Sequence, residues 1–136
     1  MRPPSTSQSV WLLLIAYWIL LTGLLVTPQP WNFLGAFQDP VKEAIELGLA
    51  DYVRHFLAFS LLASLAWSAR RSRGWPTNAQ FLSGLFIYSI LTEIIQGPIP
   101  ERTFQWLDLL ANTTGLIFGW SLPALLWRHR QSPPTG

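Results

Sequence analysis

The chain has 136 residues, of which 50% are hydrophobic and 12% charged, and its net charge is +2. It has no cysteine, which excludes a disulfide framework, a thiol nucleophile and a thiolate metal site. A single soluble domain is excluded by the local pattern: the run 10–27 carries no charge. As an α-helix rising about 1.5 Å per residue it would reach roughly 27 Å, close to a hydrocarbon core of about 30 Å.

Residues 1–9 read as a short polar tail containing Pro3 and Pro4. Arg2 followed by an apolar run resembles a secretory signal. The run is long for one, however, and its Thr27-Pro28 end lacks small-x-small cleavage spacing, so an uncleaved span is expected. Pro28 and Pro30 keep the helix from continuing far, and Trp31 and Phe33 suit the membrane interface. Asp39-Pro40 resembles an N-cap with proline at the first helical position. It opens either a short interfacial helix, with Val41, Ala44, Ile45 and Leu49 as its apolar stripe, or a loop ordered by the membrane surface. The second run, about 53–69, ends at the Arg70-Arg71-Ser72-Arg73-Gly74 turn. The third, about 79–95, is stopped by Gly97-Pro98-Ile99-Pro100. The fourth, about 106–127, contains Pro123, whose missing N–H frees the carbonyl of Gly119 and predicts a kink. Residues 128–136 form a second polar tail.

Charge is sorted along this pattern. Asp39, Glu43, Glu46, Asp51, Glu93, Glu101 and Asp108 all lie in or beside the connections after the first and third runs. Arg2, Arg70, Arg71, Arg73, Arg128 and Arg130 occupy the remaining connection and the two termini, without a carboxylate. Lys and Arg are retained on the cytoplasmic side during insertion. The expectation is therefore an all-α protein: a four-helix integral membrane bundle over 10–127, multi-pass, with both termini cytoplasmic. The basic balance then belongs to the membrane surface, with membrane lipids as partners and no role for nucleic acid.

Helical spacing gathers the polar residues. Asp51 and His55 are i,i+4, as are Ser89 and Glu93, with Gln96 three residues on. Asp108, Asn112, Gly115 and Gly119 form one stripe, and small residues on such a stripe let helix backbones approach. Topology brings these polar ends to one depth. It predicts a binding pocket or network of Asp51, His55, Glu93, Gln96, Arg102, Asp108 and Asn112, with Arg54 at its edge. Ionisable groups at that depth normally pair or face water.

Several chemistries compete for this cluster. The plainest is structural: opposite charges tie helix ends together, with Asp51 and Asp108 favoured by helix dipoles. A metal site from His55, Asp51, Glu93 and Asp108 is disfavoured by Arg102 among them, and no metal or cofactor is expected. A catalytic version would use His55 as base, oriented by Asp51 or Glu93, with Arg102 as anion clamp. A Ser-His-Asp hydrolase is weaker, since no serine has a nucleophile-elbow context.

The segments Asp51-Tyr-Val-Arg-His55-Phe-Leu-Ala-Phe59, Glu93-Ile-Ile-Gln96, Arg102-Thr-Phe and Asp108-Leu-Leu-Ala-Asn112-Thr-Thr-Gly115 resemble, in order and spacing, the motifs of the VanZ-like family of small bacterial membrane proteins. The resemblance runs from about Leu12 to Leu126. The family pattern often has Lys after the first Asp; here Tyr52 stands there, with Arg54 two residues on. The resemblance implies a multi-pass protein of the cell envelope. The family founder is associated with teicoplanin resistance, and most members have no established activity. The expected function is engagement of a lipid headgroup or envelope-glycan intermediate at an outer-face pocket. The alternatives are an enzyme acting on a lipid-linked or phosphate-bearing envelope substrate, and a non-catalytic helper docking a membrane protein partner.

The charge asymmetry makes a topology prediction. Single cysteines replacing Gln38, Ser72 and Gln131 should be labelled from outside only at Gln38, and outside labelling at Ser72 would reverse the orientation.

Overall fold

A computed structural model describes residues 6–27, 49–73, 78–98 and 105–131. The described residues form four helices and no strand: α1 Thr6–Val26, α2 Leu49–Arg73, α3 Asn78–Gln96 and α4 Trp106–Gln131. The protein is all-α, as expected. Three helices, α1, α3 and α4, are long and apolar enough to cross a membrane. α2 has the length but is less apolar, because Arg54, His55 and the serines at 60, 64 and 68 interrupt its leucines and alanines. The interfacial segment expected near 40–49 lies almost wholly outside the described residues.

Side-chain contacts fix the relative directions of the helices. The Ser7 hydroxyl meets Ser72 at 3.2 Å, joining the start of α1 to the end of α2. Gln96 Nε2 donates to the Leu25 carbonyl at 2.9 Å, joining the ends of α3 and α1. Arg71 lies on the Trp127 ring, joining the ends of α2 and α4. Successive helices therefore run in opposite directions. One end of the bundle holds Arg70, Arg71, Arg128 and Arg130, and the other holds Asp51, His55, Glu93, Gln96 and Asp108.

α2 is the inner helix and touches all three others. Its buried face is Phe59, Leu62, Ala63, Ala66 and Ala69. Against it α4 presents Ala111, Asn112, Gly115, Leu116, Gly119 and Trp120, an unbroken stripe at helical spacing. α1 contributes Leu14, Leu21 and Leu25. The outward faces are strongly apolar: Leu12, Ile19 and Ile117 are exposed at 60%, 68% and 61%. In water such a surface would aggregate, whereas against lipid tails it is ordinary. Because lipid is as apolar as leucine, the helices are held together by close packing and interhelical hydrogen bonds.

The closest packing is between α2 and α4. A Cβ built on Gly115 would stand 2.5 Å from the Phe56 carbonyl oxygen, and one on Gly119 would overlap the Ser60 carbonyl. Both obstacles are backbone, so neither can rotate away. The Gly119 carbonyl, released by Pro123 four residues later, accepts a hydrogen bond from Ser64 Oγ on α2 at 2.8 Å. The helix defect is thus filled by the neighbouring helix, and α4 continues through Pro123 to Gln131. Tyr17 and Thr22 add further ties, the first to the Ala58 carbonyl at 2.9 Å and the second to the Tyr88 hydroxyl at 2.9 Å.

Glycine substitutions should separate these roles. Gly119→Ala and Gly115→Leu should destabilise the folded protein by about 1–3 kcal/mol or more, the usual cost of overpacking. Gly23 and Gly84 have nothing within 4 Å of an added Cβ. Gly84→Ala should therefore be neutral or stabilise by up to about 1 kcal/mol, since alanine favours the helix. Thermal melting in detergent measures both, and equal tolerance at positions 84 and 119 would place the α4 stripe against lipid.

Candidate functional site

Three helices meet at the carboxylate-bearing end. Each supplies its polar group from a face the sequence pattern assigns to the interior. His55 stands one turn into α2, beside Phe56, whose carbonyl faces Gly115. Asn112 stands one turn before Gly115 on α4. The close backbone approach at Gly115 therefore brings these two side chains into reach. Glu93 comes from the last turn of α3, where Ser89, Thr92, Glu93 and Gln96 form a buried polar stripe. Ser89 and Thr92 spend their hydroxyls on carbonyls of their own helix, at 2.8 Å each. Asp108 lies in the first turn of α4, where the helix dipole favours a negative charge.

These residues form a directed chain. Asn112 Nδ2 donates to Glu93 Oε1 at 2.8 Å, and Asn112 Oδ1 lies 2.9 Å from His55 Nδ1. A carboxylate oxygen only accepts, so Glu93 determines which end of the amide it faces. The amide oxygen must then face His55, and His55 must carry its proton on Nδ1 to donate to it. Nε2 is left pointing the other way, 3.9 Å from Asp108 Oδ2. That separation is too long for a direct hydrogen bond. With Nε2 bare, both atoms accept, so a group with two donor hydrogens, such as a water, is what can bridge them. Asn112 and Glu93 are essentially inaccessible, at 0% and 1% exposure, while His55 and Asp108 reach the edge of the packed region at 8% and 9%.

The expected site residues divide into three groups. His55, Glu93, Asp108 and Asn112 are brought together by the structure. Asp51 is not brought to His55: it pairs with Arg54 at 2.6 Å, one turn on along the same helix, and its side chain is 45% exposed. The i,i+4 spacing put Asp51 and His55 on one face, but Arg54 at i+3 offers a charge-assisted bond in solvent that His55 does not. Gln96 is buried but turns to the Leu25 carbonyl, where it links α3 to α1. Arg102 lies outside the described residues. Among the described residues, no group of three or more His, Asp or Glu side chains is arranged to hold a metal ion.

Two contacts were not foreseen from the sequence. Tyr52, at the position where lysine was expected from the family pattern, meets the Thr114 hydroxyl at 3.3 Å and so adds to the α2–α4 contact. Asn112 is the central connector rather than one member of a ring of polar groups. Its place in the small-residue stripe, one turn from Gly115, was the available signal.

The family model VanZ/LLP1 matches residues 10–127. The chain belongs to that family. No curated protein and no solved structure matches it.

The chain of bonds predicts strong coupling. Asn112→Leu should cost about 1–3 kcal/mol by leaving buried groups unsatisfied. In a double-mutant cycle, Asn112→Leu and Glu93→Leu should couple by more than about 0.5 kcal/mol, whereas Asp51→Asn should be additive with either. Coupling to Asp51 as large as that to Glu93 would contradict the arrangement.

Proposed function

We propose that this membrane protein of the VanZ/LLP1 family is a four-span protein of the bacterial cytoplasmic membrane whose carboxylate-bearing end faces outward and engages a lipid headgroup or an envelope-glycan intermediate. α2 serves as the fourth span. Its lower apolarity fits a helix whose Phe59–Ala66 face is buried against α4 and α1. Both termini are then cytoplasmic, following the arginines.

The observation that carries the reading is the gap between His55 Nε2 and Asp108 Oδ2. Asn112 and Glu93 hold the imidazole in one tautomer, and the free ring nitrogen and the carboxylate then face each other where a polar ligand group can enter. Both atoms accept, and headgroups and glycans offer neighbouring donor groups, each of which can donate to one of them. In a catalytic version of the same reading, Nε2 is the base that takes the hydroxyl proton and Asp108 stabilises the imidazolium. The founder's association with glycopeptide resistance does not transfer with family membership, because function belongs to sites rather than folds.

A second reading is favoured by burial. Asn112 and Glu93 are inaccessible, and a dry network that only locks three helices would look the same. The two readings separate on what purifies with the protein. A lipid or lipid-linked glycan identified by mass spectrometry should accompany the wild-type chain and be lost from His55→Gln and Asp108→Asn at unchanged protein level. Loss of the protein itself in both variants supports the scaffold reading instead.

A further inference from the structure

The opposite end of the bundle carries a second arrangement that the polar network does not use. Arg70 and Arg71 close α2, and Arg128, His129 and Arg130 close α4. Among the described residues of this end there is no Asp or Glu. Arg71 is nevertheless held in place. Its guanidinium carbon lies 3.8 Å from the centre of the Trp127 ring on α4 and 5.7 Å from that of Trp67, one turn back on α2. Arg70 lies 5.8 Å from the Trp120 ring. Two adjacent arginines on one helix are thus each fixed by an indole of the other.

Stacking uses the face of a guanidinium and leaves its N–H donors in the plane of the edge. An arginine fixed in this way has lost the freedom that a surface arginine would have to give up on binding, and its fork matches two oxygens of a phosphate. Arg71 is exposed at a membrane surface, where the abundant anion is lipid phosphate. The neighbouring surface fits the rest of such a molecule. Leu126 is exposed on α4 beside Trp127 in sequence, and indoles favour headgroup depth.

We propose that Arg71, clamped between Trp67 and Trp127, binds the phosphate of an anionic phospholipid at the α2–α4 end. The recognised chemistry is a phosphate anion, and its place at the end of a helix apolar enough to cross a membrane assigns the source to a lipid rather than to free phosphate. The site is separate from the His55 network and does not depend on what that network binds.

The test uses the full chain in phosphatidylcholine nanodiscs doped with phosphatidylglycerol, with bound lipid read by native mass spectrometry. The wild-type chain should retain phosphatidylglycerol in preference to phosphatidylcholine, and excess inorganic phosphate should not displace it. Arg71→Gln should hold it roughly fivefold more weakly, the share of one basic residue beside an anionic surface. Trp127→Leu keeps every charge and should also weaken retention, which protects the test if Arg71→Gln does not fold. Equal retention of both lipids, wild-type retention by both variants, or displacement by inorganic phosphate would each overturn the site. The first outcome leaves no anionic preference, the second only diffuse attraction of a basic surface, and the third makes it a free-anion site. Arg71→Gln should keep whatever species His55→Gln loses, so the two ends fail independently.

Discussion

The distance between α2 and α4 governs the rest of the molecule. Gly115 and Gly119 place the backbone of α4 against the Phe56 and Ser60 carbonyls of α2, closer than any side chain would allow. In lipid no hydrophobic force pulls two helices together, so contact must come from packing and from hydrogen bonds that cross between them. Here the two coincide. The approach that glycine permits lets Ser64 reach the carbonyl that Pro123 has stripped of its helical partner. The same approach, one turn nearer the polar end, brings Asn112 within hydrogen-bond distance of His55. At the other end it lets Trp120 and Trp127 reach Arg70 and Arg71. If α4 moved outward by the width of a methyl group, all three arrangements would be strained together.

Much of this was legible in the sequence, and for identifiable reasons. A charge-free run of membrane length has few other structural solutions, so α1 was plain. Period-four spacing marked Asp108, Asn112, Gly115 and Gly119 as one face, and Pro123 pointed to the Gly119 carbonyl. The helices run further than their apolar cores: α1 starts at Thr6 and α4 ends at Gln131, because a helix can continue into the polar zone after hydrophobicity has stopped marking it. Partner choice was harder to read. Asp51 shares a face with His55 yet bonds Arg54, and Gln96 lies near the network yet bonds the Leu25 carbonyl. Spacing along one helix gives direction but not the identity of the group across the gap. That depends on the angles between helices, which no single-helix pattern contains. Asn112 was underrated for the same reason, since its importance comes from standing between two other helices.

The bundle is chemically polar along its length, with different tasks at its two ends. At one, an amide placed between a carboxylate and an imidazole leaves one ring nitrogen aimed at a second carboxylate. At the other, guanidiniums rest on indoles. α2 joins the two. It is the least apolar of the four helices, and one face of its middle, Phe59, Leu62, Ala63 and Ala66, is buried against protein. This accounts for a helix that falls short of a membrane span by composition while sitting in the middle of three that do not.

The account rests most heavily on the proton carried by His55, because the chain of bonds through Asn112 to Glu93 requires it to be on Nδ1. The chain has only two histidines, so ¹⁵N NMR of histidine-labelled protein carrying His129→Gln reads His55 alone. Under alkaline conditions, where the ring is neutral, Nδ1 should show the signature of a protonated nitrogen and Nε2 that of a bare one. Asn112→Leu should abolish that preference while Asp51→Asn leaves it intact. A proton found on Nε2 in the wild-type protein, or a tautomer indifferent to Asn112, would contradict the arrangement from which the proposed site is built.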